Sequence, residues 1–521
     1  MARLVQYHIQ SCVGGNDLQK RWWKEAVCYQ IYPRSFMDTN GDGIGDIQGM
    51  ISKLDYLKEL GVDVIWVGPI YPSPNDDNGY DISNYQGISE EFGTMVDFDE
   101  LLKKTHEKGM RLIMDLVLNH TSDEHAWFIE SRSSKESLYR DYYIWHPGKN
   151  GQEPNNWESI FGGSAWQYDE QTEEYYMHVF SKKQPDLNWE NRNVRKRLYQ
   201  MVNWWLDKGI DGFRVDAISH IKKVLDFPDL PNPNHKKYVP SYQGHMNREG
   251  IHEFLQELKD ETFSKYDIMT VGEANGVSPK DAEEWVGEKN GKFDMIFQFE
   301  HLDLWGKESG RLHLPALKKT LTKWQESLDG SGWNALFMEN HDQPRSVSSW
   351  GNEEKYWRES ATCLATLYFL MQGTPFIYQG QEIGMTNFPF TSEKQFEDIK
   401  TKLLYREERE AGKTHAYAMA LLRKNSRENA RTPMQWEGGK HAGFTEGIPW
   451  KPINPNYKKI NVAAQLQDPQ SILNYYKQLI QLRKRHAVLI YGSYRLCFEE
   501  NSQLYVYERI FEGEKMLIVK K

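Results

Sequence analysis

The amino-acid sequence predicts an α/β fold: a (β/α)8 TIM barrel with an inserted subdomain after strand 3 and an incomplete C-terminal antiparallel β-domain. Three observations support this prediction. Short apolar runs occur eight times, helical patterns lie between them, and each run ends in polar residues. Near-continuous apolar strands are typical of parallel sheets, because both faces of such sheets are buried.

The eight candidate strands are short runs rich in β-branched and aromatic residues. In chain order they are VCYQIYP (27–33), DVIWVG (63–68), RLIMDLVLNH (111–120), GFRVD (212–216), IMTVGE (268–273), MIFQFE (295–300), ALFMENHD (335–342) and PFIYQGQE (375–382). Helices are predicted between them, for example at 50–61 and 98–109, where apolar residues lie three and four positions apart and the pattern stops at glycine.

The intervals between strands are uneven, and two long ones predict added segments. Residues 121–188 follow strand 3 and are polar, aromatic and glycine-rich, so we assign them to an inserted domain, here called domain B. A second long excursion, about 383–460, follows strand 8. Long segments at the C-terminal ends of barrel strands often carry function. The barrel itself is assigned to residues 21–120 and 189–490.

The two ends of the chain lie outside the predicted barrel. A helix predicted at 471–486 is followed by the alternating runs YRLCFEE, LYVYERI and KMLIVK. Alternation of this kind predicts strands with one buried face, so residues 491–521 are assigned to a partial C-terminal β-domain. Residues 1–20 precede the first barrel element and are treated as an N-terminal extension, expected to be disordered or wrongly assigned.

Composition excludes several classes of protein. A net charge of −10 argues against nucleic acid as a partner, because such binding needs a basic surface. The most apolar run, 361–378, is interrupted by polar residues and proline, so no membrane span is expected. The four cysteines are far apart, which favours a reducing compartment. No signal peptide is seen, and we expect a cytoplasmic protein that is a monomer or a weak homodimer.

The stretch DTNGDGIGD, at residues 38–46, indicates a cation site. Oxygen-bearing side chains occur at every second position, at Asp38, Asn40, Asp42 and then Asp46. Calcium takes about six to eight oxygen ligands, and glycine lets the backbone turn tightly around an ion. A calcium sensor of the EF-hand type is excluded, because position twelve of the loop is Gly49 instead of glutamate. The alternative is an Asx-rich turn satisfied by its own backbone.

Three carboxylates lie at predicted strand ends. Asp216 ends strand 4, Glu273 ends strand 5 and Asp342 ends strand 7. In a barrel these ends converge on one face, and three like charges are unfavourable together unless the site uses them. The alternative for any one of them is an ion pair with a nearby arginine or a helix cap. Their joint placement favours a catalytic site.

A pair of carboxyl groups about 5 Å apart is the arrangement that hydrolyses a glycosidic bond with retention of configuration. One carboxylate attacks the anomeric carbon and must be ionised. Arg214, two residues before Asp216 and on the same strand face, is expected to keep it so. The other must hold a proton near neutral pH, and burial near a second carboxylate is expected to raise the pKa of Glu273.

Four segments together identify a family resemblance. They are DLVLNH (115–120), DGFRVDAIS (211–219), VGEANG (271–276) and ENHDQPR (339–345). This set resembles the four signature regions of the α-amylase superfamily, and most closely its oligo-1,6-glucosidase, dextran glucosidase and α-glucosidase subgroup. Supporting stretches are WWKEAVCYQIYPRSF (22–36), NGYDISNY (78–85), FGGSAWQYD (161–169), QPDLNWEN (184–191) and NARTPMQW (429–436).

The resemblance implies a role for each of the three carboxylates. Asp216 would be the nucleophile, Glu273 the general acid and base, and Asp342 the group that stabilises the transition state. Asp342 and His341 would hold the hydroxyls at carbons two and three of the reacting glucose. Asp115 would organise the site without taking part in catalysis.

The resemblance also implies the walls of the sugar pocket. His120 would hold the hydroxyl at carbon six and Tyr80 would stack under the ring, while Arg214 completes the substrate-binding set. Asp77 and Arg431 would hold the non-reducing end. A pocket closed at that end implies an exo-acting enzyme that releases one glucose from a small oligosaccharide at each event.

The resemblance strengthens the expectation of calcium in the loop after strand 1. It places a structural Ca²⁺ ion on the side chains of Asp38, Asn40, Asp42 and Asp46 and on the carbonyl of Ile44. Such an ion would stabilise the fold and take no part in bond cleavage.

The preferred linkage is read from two positions near the catalytic residues. Ala217 follows Asp216, and Asn275 lies in GEANG; oligo-1,6-glucosidases of the subgroup tend to have valine and proline there. This pair is similar to maltases, so an α-1,4 preference for maltose and short malto-oligosaccharides is expected.

Other activities remain as alternatives. Oligo-1,6-glucosidase and trehalose-6-phosphate hydrolase are the main ones. The RLDRD-like loop of sucrose isomerases is absent after Glu300, which argues against isomerisation. A non-catalytic transporter heavy chain is disfavoured, because this chain has all three carboxylates and no predicted membrane helix.

The length of the C-terminal β-domain departs from the subgroup. The stretch after the barrel is about half as long as the resemblance implies. A sheet ending at IVKK would leave an unpaired edge and uncovered apolar residues. We therefore expect a fragmentary chain that is less stable than a full-length relative.

Overall fold

The structure, a computed structural model, describes residues 5–8, 20–304 and 312–521. Its strands are β1 Val5–His8, β2 Cys28–Ile31, β3 Val64–Val67, β4 Arg111–Val117, β5 Trp145–His146, β6 Trp157–Glu158, β7 Trp166–Asp169, β8 Glu174–Met177, β9 Gly212–Asp216, β10 Val239–Pro240, β11 Met269–Glu273, β12 Met295–Phe297, β13 Ala335–Leu336, β14 Thr374–Tyr378, β15 Ser493–Cys497, β16 Tyr505–Phe511 and β17 Glu514–Lys520.

Some α-helices alternate with the barrel strands, and others lie in the segments outside the barrel. They are α1 Trp22–Glu25, α2 Ile47–Ser52, α3 Leu54–Leu60, α4 Met95–Glu107, α5 Ala126–Ser133, α6 Arg192–Asp207, α7 Tyr242–His245, α8 Ile251–Glu261, α9 Ala282–Val286, α10 Leu314–Leu328, α11 Ser346–Trp350, α12 Trp357–Phe369, α13 Ile399–Glu410, α14 His415–Asn425, α15 Val462–Gln467, α16 Ile472–Arg485 and α17 Ala487–Tyr491.

The predicted (β/α)8 barrel is confirmed. Eight parallel strands pair in the order β12-β11-β9-β4-β3-β2-β14-β13, and all eight match predicted runs. A parallel bridge between Ile296 and Asn334 brings the two ends of the sheet together. The strands are buried on both faces, which explains why their sequences are apolar throughout.

Local sequence explains where the barrel helices begin and end. Thr94 and Asp97 form a capping box at the start of α4, which satisfies backbone N–H groups that have no helical partner. The predicted helix 50–61 is divided at Lys53 into α2 and α3. Gly61 ends α3 with φ of 102°, and a Cβ there would lie 2.8 Å from the side chain of Ile480. Glycine is therefore required at this turn.

Domain B is built around a small antiparallel sheet in the order β5-β8-β7. The segment leaves and rejoins the barrel at neighbouring backbone positions, since the Leu187 N–H donates to the carbonyl of Asn119 at 2.9 Å. Its own core contains Trp157, Trp166 and Met177. A two-residue pairing of β6 with β10 joins domain B to the segment after β9. Domain B therefore lies at the C-terminal ends of β4 and β9.

The C-terminal β-domain corrects two expectations. Strands β15, β16 and β17 form an antiparallel sheet, and β1 pairs with the outer edge of β17 in the register Val5 to Leu517. The expectation of an unpaired edge at the end of the chain is therefore wrong, because an N-terminal strand occupies that edge. The N-terminal extension is likewise ordered at Val5–His8, while residues 1–4 and 9–19 lie outside the described residues.

Across the ranges that the structure describes, no helix is both long enough and apolar enough to cross a lipid bilayer.

Candidate active site

The three predicted carboxylates meet at the C-terminal end of the barrel. Asp216 is the last residue of β9 and Glu273 is the last residue of β11, and these strands are neighbours in the sheet. Asp342 lies in the loop after β13, which ends at Leu336. Strand 7 is thus much shorter than predicted. The loop, and not the strand, brings Asp342 to the site.

Arg214 joins the first two carboxylates. Its Nη1 donates to Asp216 Oδ1 at 2.6 Å and to Asp115 Oδ1 at 2.7 Å, and its Nη2 lies 2.8 Å from Glu273 Oε2. Arg214 is almost completely buried, so its positive charge is little screened by water. One guanidinium therefore holds Asp216 and Glu273 side by side.

The pKa of Asp216 differs from the expectation. Burial and the neighbouring Glu273 carboxylate raise the pKa of Asp216 well above its usual value, although the sequence predicted an ionised nucleophile. Glu273 Oε2 accepts from the backbone N–H of Ala217 at 2.9 Å as well as facing Arg214. The raised pKa of Asp216 therefore arises from its burial and from the carboxyl group of Glu273 beside it.

A chain of hydrogen bonds positions His341. Gln30 Nε2 lies 2.7 Å from its Nδ1, and the Tyr80 hydroxyl lies 2.8 Å from its Nε2. Tyr80 in turn donates to Asp115 Oδ2 at 3.1 Å. Burial lowers the pKa of His341 to about 3, so the ring is neutral and one nitrogen accepts while the other donates. In this chain of hydrogen bonds, Gln30 donates to His341 Nδ1 and His341 Nε2 donates to the Tyr80 hydroxyl.

An arginine that the sequence analysis missed closes one end of the pocket. Arg427 Nη2 donates to Asp77 Oδ1 at 3.0 Å, and Arg427 Nη1 donates to Asp342 Oδ1 at 2.9 Å. Arg427 Nε also donates to Asp398 Oδ1 at 2.6 Å. Arg431, which the resemblance implies holds the non-reducing end together with Asp77, donates to the His341 carbonyl at 3.0 Å and to Asp342 Oδ1 at 2.8 Å.

These cations decide the charge of Asp342. Burial alone would raise its pKa, but the electrostatic interactions with His341, Arg427 and Arg431 hold the pKa of Asp342 well below its usual value. The pKa of Asp77 is raised to about 6, mainly by burial. Asp342 is therefore a fixed negative charge facing the pocket at neutral pH.

The wall around His120 depends on residues from domain B. Gln184 Nε2 lies 3.1 Å from His120 Nε2 and donates to Asp77 Oδ2 at 3.2 Å. Burial lowers the pKa of His120 to about 3, so this ring is also neutral. Behind it, the Lys223 ammonium donates to Asn119 Oδ1 at 2.7 Å. The Gln184 amide thus links His120 and Asp77, the two polar residues expected to hold the sugar.

A cavity of about 680 Å³ leads to Asp342 and Arg427. It runs between domain B, near Ser159, and helix α13 in the excursion after β14. The side of Arg427 that contacts Asp77 is closed by this ion pair. Arg427, which contacts both Asp77 and Asp342, therefore forms one wall of the site.

The loop at 38–46 is held by its own backbone. Asp38 accepts from the N–H groups of Asn40, Gly41 and Gly43, at 3.0, 2.8 and 2.8 Å. Similar bonds run from Asp42 N–H to Asn40 Oδ1 and from Gly49 N–H to Asp46. Within the described part of the chain, no cluster of three or more His, Cys, Asp or Glu residues has a geometry that could hold a metal ion.

The missed site residues carried a weak sequence signal. Gln184 lies within the quoted stretch QPDLNWEN, and Arg427 lies four residues before Arg431 in SRENAR. Both arginines lie in one 3-10 helix, Arg427–Arg431, so either one was compatible with a contact to Asp77. Only the packing of this helix against the loop holding Asp342 distinguishes them.

Comparison with known proteins agrees with this geometry. The family model of the α-amylase catalytic domain matches residues 30–492. A probable oligo-1,6-glucosidase 3 of Bacillus subtilis (strain 168) is 61% identical over 502 residues, which are 96% of this chain and 91% of that protein. An oligo-1,6-glucosidase of Parageobacillus thermoglucosidasius is 56% identical over 508 residues, 96% of this chain and 90% of the relative.

Solved structures show the same fold. The crystal structure of trehalose-6-phosphate hydrolase from Bacillus licheniformis superposes with a TM-score of 0.90 at 48% sequence identity, and the match covers 96% of this chain and 90% of that one. The chain therefore belongs to the α-amylase family of glycoside hydrolases, and its similarity to glucosidases supports a glucosidase activity.

Proposed function

We propose that the protein is a retaining, exo-acting α-glucosidase that releases glucose from the non-reducing end of short oligosaccharides, with a preference for α-1,6 bonds. The observation that carries the proposal is the pair of carboxylates, Asp216 and Glu273, held together by Arg214 at the barrel mouth. The names of the two relatives, both oligo-1,6-glucosidases, support the linkage. The α-1,4 preference expected from the sequence is not confirmed.

The residues account for each step of a double displacement. Asp216 attacks the anomeric carbon while Glu273 gives its proton to the glycosidic oxygen, so the leaving sugar departs and a glucosyl ester forms. Glu273 then takes a proton from water, the water oxygen bonds to the anomeric carbon, and the ester bond to Asp216 breaks. Two inversions leave the released glucose in the α configuration. The negative charge of Asp342 favours the cationic transition state.

The pH profile tests the coupling of the two carboxyl groups. We expect the acid side of kcat/KM to fall at a pH well above 3.8, the ordinary pKa of aspartate. As pH drops through the raised pKa of Asp216, its carboxylate takes a proton and cannot attack. Glu273→Gln removes a neighbouring charge, so it should move this limb to lower pH. The measurement uses α-glucosyl fluoride, whose leaving group needs no acid; a limb that stays in place in the variant would disprove the coupling.

A substrate panel tests the linkage. We expect kcat/KM for isomaltose to exceed that for maltose, with sucrose and trehalose-6-phosphate turned over more slowly. A second candidate, the α-1,4 preference, is favoured by Ala217, because a small residue beside the nucleophile leaves room for the leaving sugar of a 1,4 bond. Faster turnover of maltose would support that candidate and overturn the α-1,6 proposal, and dominant turnover of trehalose-6-phosphate would overturn both.

The variant Ala217→Val tests whether the side chain at position 217 selects the linkage. Ala217 has φ of 45°, a left-handed conformation that β-branched residues adopt with strain. The added methyl groups should raise the isomaltose-to-maltose ratio of kcat/KM by about tenfold, since pocket contacts of this size discriminate by roughly 1–3 kcal/mol. Melting temperatures of both proteins separate loss of folding from a change of specificity. An unchanged ratio would show that position 217 does not select the linkage.

We propose a structural calcium site in the loop at 38–46. The donor set is all oxygen, as calcium requires, and the residues that would hold the ion are Asp38, Asn40, Asp42, Ile44 through its carbonyl, and Asp46. The bonds within the loop also support a turn that needs no ion. A hydrogen bond connects the loop to the segment after ARTPMQW: the Asp38 N–H donates to the Phe444 carbonyl at 3.0 Å.

Calcium removal distinguishes the two possibilities. If the ion binds the folded loop only, saturating calcium should raise the melting temperature by a few degrees and chelation should lower it. The variant Asp42→Ala should abolish this difference, and kcat well below the melting temperature should not change. A melting temperature that is the same with calcium and with chelator would show that Asx turns alone hold the loop.

A further inference from the structure

A groove of about 850 Å³ lies on the outer face of the barrel, away from the catalytic carboxylates. It is formed by residues 83–86 of the segment after β3, by residues 124–129 at the start of domain B, and by one face of α6. The residues that matter for its chemistry are Tyr85, Trp127, Arg197, Gln200 and Trp204. None of them takes part in the pocket described above.

Two tryptophan rings give the groove flat apolar surfaces. Trp204 is 37% exposed and packs edge-on against Trp205, with ring centroids 4.8 Å apart. Trp127 packs against His125 at 4.7 Å and against Tyr142 at 5.6 Å. These contacts hold both indoles in place, so little side-chain entropy is lost when a ligand stacks on them.

Polar groups surround the two rings. Arg197 and Gln200 lie on the same face of α6 as Trp204, seven and four residues before it. On the opposite side the groove is lined by Gln86 and Glu124. One basic and one acidic side chain leave no net charge, which argues against an anionic ligand such as a nucleotide or a phospholipid. Flat apolar faces with polar groups at their edges match the faces and hydroxyls of a neutral sugar.

We propose that this groove is a second carbohydrate-binding site, which takes a segment of a neutral α-glucan chain. The class of sugar rests on the proposed function, since the same enzyme cleaves α-glucosidic bonds. The groove shares a wall with the pocket, because the buried Tyr85 hydroxyl donates to the carbonyls of Val117 and His120 at 2.9 and 3.1 Å.

Electrophoresis in native gels containing dextran or soluble starch tests the site. The protein carries Asp216→Ala to prevent digestion, and an iminosugar that mimics glucose is present at saturation to fill the pocket. We expect glucan in the gel to retard the protein. Adding Trp204→Ala or Trp127→Ala should weaken the apparent Kd by at least about tenfold, because each substitution removes an aromatic ring on which a sugar would stack. Tyr356→Ala, an exposed aromatic outside the groove, should leave the retardation unchanged.

Each other outcome overturns the proposal. If neither glucan retards the protein, or if neither tryptophan substitution changes the retardation, the groove is not a carbohydrate-binding site. If Trp204→Ala instead splits a dimer in sedimentation runs without glucan, the groove is an interface between copies of the chain. Hydrolysis of isomaltose by the unmodified enzyme is measured separately, so a failure of the proposed function is recognised independently of a failure of the groove.

Discussion

Replacing Asp216 by alanine is expected to lower kcat by on the order of 10⁴-fold or more, the loss typical of removing a covalent nucleophile. Without the carboxylate no glucosyl ester forms, and water alone is a poor substitute in a site built for double displacement. The kinetics are measured with isomaltose and with an aryl α-glucoside. Substrate binding, measured by calorimetry on the inactive variant, should persist, because Asp77 and Arg427 are unchanged.

Chemical rescue makes this result specific to the retaining mechanism. Azide has room to attack the face vacated by the carboxylate in Asp216→Gly, so it should restore turnover of the aryl glucoside and produce the β-glucosyl azide. Asp211→Asn is the matched control, because Asp211 lies just before the same strand, at its other end, where it accepts from Arg111. That variant should keep kcat within a few-fold of the unmodified enzyme. Formation of an α-azide would contradict the assignment.

Replacing Arg427 by lysine is expected to lower kcat/KM by on the order of 10²-fold, chiefly through KM. The guanidinium contacts three carboxylates, Asp77, Asp342 and Asp398, at once. A lysine ammonium is a single point charge and cannot reproduce this planar, multidentate arrangement. Breaking buried ion pairs of this kind costs about 3–5 kcal/mol, so the melting temperature should fall as well.

Arg431→Lys is the comparison that decides which arginine holds the non-reducing end. Arg431 contacts the His341 carbonyl and Asp342, so its replacement should affect kcat more than KM. Asp398→Asn should mimic Arg427→Lys in weaker form, because Asp398 only positions the arginine. A larger rise in KM for Arg431→Lys than for Arg427→Lys would show that Arg431, the residue that the resemblance implies, holds the non-reducing end.

Much of the fold is predictable because it is encoded locally. Each barrel strand is an apolar run bounded by polar residues, and each helix such as α4 has its own cap and its own buried face. Where local signals are ambiguous, the prediction is less accurate. Residues 335–342 are predicted to form one strand, but only Ala335–Leu336 pairs with β14. The residues that follow form other contacts in the site, because Glu339 accepts from Arg345 and the His341 carbonyl accepts from Arg431.

The catalytic carboxylates are also predictable from sequence, while their protonation is not. Asp216 and Glu273 were identified because each ends a strand and the strands converge. The raised pKa of Asp216 depends on its burial and on the carboxyl group of Glu273, which lies on the neighbouring strand. The backbone N–H of Ala217 donates to Glu273 and not to Asp216.

The eight strands, the segment inserted after strand 3, the three carboxylates and the family resemblance can all be predicted from the amino-acid sequence, since they rest on short contiguous patterns. The contact of Arg427 with Asp77 and the pairing of β1 with the edge of β17 are evident only in the folded chain. The first contact joins residues 350 positions apart, and the second pairs Val5 with Leu517. No local pattern encodes such a choice between nearly equivalent partners, because it depends on how distant segments pack.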